Sequence, residues 1–370
     1  MIKYNMKLFV SAFSLRIISF FFQATLPLIL VYFDISSINS YWYFILLLWI
    51  FGALGSLYSI LLINKKIVFI SFLTLIMMAI VLIFDIKMLM LVSIYIIFMM
   101  VSAFSVSAGS GSYVEGSAYK GITAYSAGLA FGLAFAILAQ LLFFNLKNIY
   151  IISVTVLILI VLTALFYPFR THDLSENWSI SKIKNLLFSK ITSVNVIENT
   201  AGSLAWPFAI TFLGVYAYKF LNFPLSMVSV AFLISVLTSA LVRSFLYISH
   251  RMPDTLIQKF SIILYGISLI LSVTFRQSDI FLLSMFILGL AHGLYFPTML
   301  FKFLSNSSDK LMGYLVYNAS FGASEMLSSV IGGIMVSQLN YINGIFGFSV
   351  FFLTLNIIIF LVEARKGSVF

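Results

Sequence analysis

A chain of 370 residues that is 62% hydrophobic and only 9% charged lacks the polar surface that a soluble globule must present to water, so it belongs in a lipid bilayer. Its 21 basic residues outnumber 11 acidic ones, yet no basic run of five or more occurs and Lys and Arg sit mainly between apolar segments, which excludes a nucleic-acid partner and points to membrane topology. Cysteine is absent, so disulfides, thiolate metal sites and cysteine nucleophiles are excluded together.

In chain order, apolar segments fall at roughly 8–33, 41–63, 67–85, 88–112, 121–145 and 149–168, then at 190–217, 225–248, 257–276, 279–304, 311–338 and 342–363. Each is near the length that a tilted transmembrane helix requires. Lys3 and Lys7 precede an apolar stretch longer than a signal-peptide core and without an A-x-A site, so the first segment reads as a retained helix. The third and fourth segments are divided only around Asp85 and Lys87. Residues 169–189, with Arg170, His172, Asp173, Glu176, Lys182 and Lys184, form the longest polar stretch and read as a linker between 1–168 and 190–370.

Charge sets the expected orientation. With the N-terminus cytoplasmic, Lys3, Lys7, Lys65, Lys66, Lys120, Arg170, Lys182, Lys184, Lys190, Arg251, Lys259, Lys302, Lys310, Arg365 and Lys366 fall inside. Only Lys87, Lys147, Lys219 and Arg276 fall outside, so both termini and the linker are expected in the cytoplasm of a cell bounded by this membrane. Arg16 and Arg243 lie within spans; Arg243, near its cytoplasmic end, reads as an interfacial anchor.

The stretch Gly289–Met335 is a helical hairpin: an apolar arm to Leu304, a polar turn with Asp309 and Lys310, and a second arm in which Asn318, Gly322, Glu325, Ser329 and Gly332 share a small, polar face. Lipid does not select such a face; a neighbouring helix or a water-filled cavity does. The two sets of six spans also echo each other. Gln23-Ala24-Thr25-Leu26-Pro27 in the first matches Ser203-Leu204-Ala205-Trp206-Pro207 in the seventh, and Gly121, Tyr125 and Ala127 in the fifth match Gly313, Tyr317 and Ala319 in the eleventh.

With Pro297, the charged turn, Gly313, Tyr317, Asn318, Phe321, Gly322 and the Gly332-Gly333 pair, the hairpin resembles helices ten and eleven of the major facilitator superfamily. The loop after the second span departs from the family: Gly55, Leu57 and the basic pair Lys65-Lys66 stand, but Ser59 replaces the aspartate and the second glycine is missing. The resemblance implies an all-α polytopic membrane protein of facilitator type, with twelve transmembrane helices in two six-helix halves related as a parallel repeat. It implies a central cavity lined by helices one, four, seven and ten, and a secondary active transporter moving a small organic solute by alternating access.

Polar residues in the spans are the candidate machinery, because lipid cannot satisfy them. Arg16, Ser19, Gln23 and Pro27 share a face of the first span; Asn195, Asn199, Gly202 and Trp206, with Glu198 beside them, share one of the seventh; Ser102, Ser105, Gly109 and Ser112 share one of the fourth. The candidate solute site is Arg16, Gln23, Glu198, Asn199, Trp206, His292, Tyr317 and Asn318, with Glu325 and Glu198 as candidate proton carriers, since a mid-span carboxylate has no snorkelling escape. Gly121, Gly128, Gly132, Gly322, Gly332 and Gly333 are candidates for close helix packing. Bland readings stand beside these: Arg16 can snorkel, His292 and the serine stripe can simply pack, Trp206 and Tyr295 can be core, and Glu115 is interfacial. Arg16 also stands at a depth comparable to Glu198 and is expected to pair with it.

The expected partners are a small-molecule solute, protons and the bilayer; no cofactor, metal or nucleic acid is expected, and the protein is expected to be a monomer. A membrane-embedded enzyme or lipid-handling protein is the alternative, but H-E-x-x-H, G-x-S-x-G and a Walker loop are missing. Substrate charge stays open: Arg16 favours an anion, Glu198 and Glu325 a cation or proton.

Overall fold

The computed structural model describes residues 2–32, 37, 40–61, 65–84, 87–111, 118–143, 149–167, 190–249, 255–306 and 310–367. Among them there is no strand. In hydrocarbon every backbone N–H and C=O must be satisfied within the segment, and a helix does this without a partner. The helices are α1 (Ile2–Tyr32), α2 (Trp42–Leu61), α3 (Lys65–Val81), α4 (Lys87–Gly111), α5 (Ala118–Phe143) and α6 (Ile149–Phe166). A broken rod, α7 (190–220), follows; then come α8 (Leu225–Ser249), α9 (Thr255–Thr274), α10 (Ser278–Ser305), α11 (Lys310–Leu339) and α12 (Tyr341–Gly367). Among the described residues, eight helices are long and apolar enough to cross a membrane, and Val68–Val81, Leu89–Ser105, Ala124–Ala139 and Val154–Phe166 are shorter apolar stretches. The linker 169–189 lies outside the described residues, as do Glu115, Ser112 and the Asp309 turn.

The sequence expects one continuous helix over 190–217, and α7 corrects this. It runs Lys190–Gly202, turns at Ser203-Leu204, resumes at Ala205–Phe208, widens into a π-helical turn at Ala209–Leu213 and ends with Gly214–Phe220. Pro207 is the local cause: it has no N–H for the ladder, and its ring crowds the carbonyl four residues back. The chain answers with the turn before it and the π-bulge after it.

Packing brings α1 against α5, α4 and α6, α2 against α4, α10 against α8 and α9, and α12 against α9 and α11. The most extensive contacts joining the earlier helices to the later ones are α5 with α8 and α2 with α11; α4 also meets α11, α1 meets α7, and α5 meets α10. Small residues set the closest approaches. A methyl group added at Gly128 would lie 2.5 Å from the Phe9 carbonyl oxygen, and one at Gly132 would lie 2.5 Å from that of Phe13, so α1 and α5 touch backbone to backbone. A methyl at Gly333 would collide with the Trp42 indole, and one at Gly332 would lie 2.6 Å from the Phe212 ring.

Candidate functional site

The helices enclose a cavity of about 370 Å³, within the range that holds one small organic molecule. Its wall comes from α1 (Arg16, Ser19), α2 (Ser56), α4 (Phe98, Ser102, Ser105), α5 (Tyr125), α10 (Phe296) and α11 (Tyr314, Asn318, Phe321, Gly322, Glu325). Helix α7 contributes none of the lining, against the expectation that helices one, four, seven and ten form it. The reason is that α7 is buried almost throughout and spends its polar groups on neighbours.

Of the candidate site residues, Arg16, Asn318 and Glu325 line the cavity. Arg16 and Glu325 interact electrostatically across it, although no described carboxylate lies within ion-pair distance of Arg16. Its guanidinium carbon stands 5.9 Å from the Phe20 ring centroid. Asn318 Nδ2 is buried with no hydrogen-bond acceptor among the described residues. The others lie elsewhere. Asn199 donates to Ser320 Oγ (2.7 Å) and to the Tyr317 carbonyl (3.3 Å), fastening α7 to α11. Trp206 stacks on His292 at 3.8 Å between ring centroids, and His292 Nδ1 bonds the Tyr265 hydroxyl at 2.7 Å. Gln23 is buried among α1's neighbours, and Tyr317 packs against Phe296 and Phe303.

Glu198 and Arg243 correct the sequence reading. Glu198, only 4% exposed, is ion-paired with Lys302 of α10, not with Arg16. Lys302, which the charge count assigns to the cytoplasmic side as a topology signal, lies in the last turn of α10 and pairs with Glu198 of α7. Arg243 is not an interfacial anchor. It is 3% exposed, its Nη1 is 3.4 Å from the Ser126 carbonyl of α5, and its guanidinium carbon sits 4.4 Å from the Phe296 ring centroid. The cause is the α5–α8 contact, which covers the end of α8 that a sequence reading leaves to lipid headgroups.

The packing glycines divide as well. Gly128, Gly132, Gly332 and Gly333 meet neighbouring helices, whereas a methyl at Gly322 would meet nothing within 4 Å because it faces the cavity. Gly121 belongs to α5, but its packing lies outside what the structure describes.

At one end of α2 and α11 the helices are clamped. The hydroxyls of Tyr41 and Tyr341 lie 2.7 Å apart, with the Thr211 carbonyl 2.9 Å from the first and the Phe212 carbonyl 2.9 Å from the second; with one proton each, the two phenols make two of these three contacts as hydrogen bonds at a time. Those carbonyls belong to the π-turn of α7, whose irregular ladder gives the tyrosines a place to bind. Trp42 stacks over Gly333 beside them. Further along, α2 and α11 part around the cavity at Ser56 and Gly322, and a second tyrosine contact follows, Tyr314 to Tyr125 at 3.1 Å, with Tyr125 also bonded to Ser105 at 2.8 Å. The internal repeat marks Tyr125, but no sequence signal marks Tyr41, Tyr314 or Tyr341, because partner helices far apart in the chain define them.

No family model and no curated protein matches the sequence. Solved structures do match over nearly the whole chain. The nucleoside transporter NupG, as a D323A mutant, aligns with a TM-score of 0.76 at 14% identity, covering 98% of this chain and 99% of that one. A POT family transporter in complex with a thioalcohol-conjugated peptide gives 0.77 at 12% identity, over 98% and 96%. The human organic anion transporter MFSD10 gives 0.74 at 11% identity, over 96% and 99%. This is the major facilitator fold. In that facilitator fold the cavity sits among helices from both parts of the chain, with the Tyr41–Tyr341 clamp at one end and the Tyr125–Tyr314 bond near the other.

Proposed function

We propose that this protein is a secondary transporter that carries a small organic solute by alternating access. The observation that carries the reading is the cavity itself: it is walled by helices from 1–168 and from 190–370 and lies between two tyrosine contacts that join them. Rocking the two parts about such a cavity breaks one contact while keeping the other. The similarity to nucleoside, peptide and organic anion transporters supports it.

In this reading the chain crosses the cytoplasmic membrane twelve times, in two six-helix halves joined by the 169–189 linker, as a monomer with both termini cytoplasmic. The clamp at Tyr41 and Tyr341 is then external, and the cavity lies toward the cytoplasmic side of it. Glu325 faces the cavity and is the proton carrier; Glu198, held by Lys302, is a helix tie. No residue grouping around the cavity supports the alternative of a membrane enzyme.

Counterflow in proteoliposomes is the test. Vesicles loaded with an unlabelled nucleoside, dipeptide or organic anion should take up the same labelled solute transiently above equilibrium for at least one class. Solute binding with no trans-acceleration for any class overturns the reading.

A further inference from the structure

The charge content of the cavity identifies the kind of solute. Two charged side chains line it, Arg16 and Glu325. A third charge stands directly behind the wall: Arg243 lies over Phe296, which lines the cavity, and is in electrostatic contact with Arg16. Arg243 makes long hydrogen bonds to the Ser126 carbonyl and hydroxyl, 3.4 and 3.5 Å, while its Nε and Nη2 have no acceptor among the described residues. A guanidinium stays charged at any working pH, and burying one without a carboxylate is costly. The second acid that could have balanced the pair, Glu198, is taken by Lys302. Among the described residues, two arginines therefore stand at the cavity against one carboxylate, Glu325, which interacts with Arg16 and leaves Arg243 without an acidic partner.

We infer that the transported solute is an organic anion, with one oxyanion group that binds Arg16 and an apolar body that packs among Phe98, Phe296, Phe321 and Tyr314. The inference rests on the transporter reading and adds the substrate class to it. Carboxylate, sulfonate and phosphate share the required chemistry, since each offers paired oxygens to the guanidinium fork. The ring-lined walls match a body of aromatic size.

Glu325 then stands in for the solute when the cavity is empty. Among the described residues, the helices packed against α11 place no other charge at the cavity: Glu198 and Lys302 pair with each other, Asp279 lies in the first turn of α10 and lines no part of it, His292 is bonded to Tyr265, and α2 and α4 turn serine, glycine and phenylalanine to it. The hydroxyls of Tyr125 and Tyr314 are bonded together. An arriving oxyanion competes with Glu325 for Arg16, and two negative groups in one small cavity repel. A proton on Glu325 removes the conflict, so anion binding takes up a proton and strengthens as pH falls.

The test uses the purified full-length protein and a thermal-shift series with benzoate, benzenesulfonate, phenyl phosphate, benzylamine and benzyl alcohol. At least one of the three anions should raise Tm while benzylamine and benzyl alcohol do not, and the one that acts identifies the headgroup. Benzenesulfonate, which stays ionised throughout, or whichever anion binds, should bind more tightly in acid than in alkali. Glu325→Gln should flatten that pH profile, and Arg16→Gln should weaken anion binding about tenfold to a hundredfold. Binding of benzylamine as tight as that of the best anion, or no anion binding, overturns the inference; so does anion affinity unchanged in both Arg16→Gln and Arg16→Lys. If the arginine variants fail to fold, the wild-type ranking and the Glu325→Gln profile decide. Counterflow of benzylamine would remove the anion inference and leave the transporter reading; anion binding without counterflow would do the reverse.

Discussion

Removing Lys302 should harm the protein far more than removing Glu198, although the two form one ion pair. The asymmetry follows from burial. Glu198 is 4% exposed, so Lys302→Met leaves a carboxylate stranded in a low-dielectric interior, a loss of about 3–5 kcal/mol. The Lys302 side chain is 23% exposed and lies in the last turn of α10. After Glu198→Gln its ammonium can extend toward the helix end, and the remaining loss is about 1 kcal/mol. The double variant should be much better than Lys302→Met alone, with a coupling energy of about 2–3 kcal/mol. Thermal unfolding of the four proteins in one detergent measures this cycle, and Arg16→Gln in the Glu198→Gln background is the control, where losses should add. Equal single losses, or strict additivity of Glu198→Gln with Lys302→Met, would refute the pairing; strong coupling of Glu198 to Arg16 would restore the partner expected from sequence.

Three other outcomes are expected. Gly128→Leu should cost about 3 kcal/mol or more and lower folded yield, because α1 leaves no room at the Phe9 carbonyl, whereas Leu165→Phe on an exposed face should be tolerated; detergent-extracted yield and Tm check both. Tyr341→Phe leaves Tyr41 donating to the Thr211 carbonyl and removes one hydrogen bond net, about 1 kcal/mol, so the clamped state should lose about a factor of 5 in population, read as faster labelling of a cysteine at Ser102 from the outer side. A cysteine at Ser278 should react with an impermeant reagent added to intact cells and one at Asn306 should not; the reverse pattern inverts the topology.

Helix positions were legible because lipid demands long apolar segments, and the ends of α2, α4, α8 and α10 lie within a few residues of the expected spans. What composition could not place was the partner of each polar group. Lys302 looks like a topology signal in the sequence and is a tie to α7; Arg243 looks like an anchor and lies behind the cavity wall. The polar face of the seventh segment, Asn195 to Trp206, reads as cavity lining, yet Asn199 is consumed by Ser320 and Trp206 by His292. Periodicity reports that a face avoids lipid, and a packed helix satisfies it as well as water does. Arg16, Asn318 and Glu325 could be singled out from the sequence, and Tyr125 as part of the repeat, whereas Tyr314 and Phe296 are ordinary aromatics until three-dimensional packing gathers them.

The most direct test of alternating access needs no solute. Because the natural chain has no cysteine, one can be placed at cavity-lining Ser102 and a second pair at Tyr41 and Tyr341, the pair being joined by a short bifunctional reagent. Labelling of Ser102→Cys by an impermeant thiol reagent is then followed in right-side-out and inside-out vesicles. Alternating access requires reaction from both sides before cross-linking and from the cytoplasmic side alone afterwards. Reaction from the outer side that survives the cross-link, or that never occurs even without it, would rule out alternating access at this cavity.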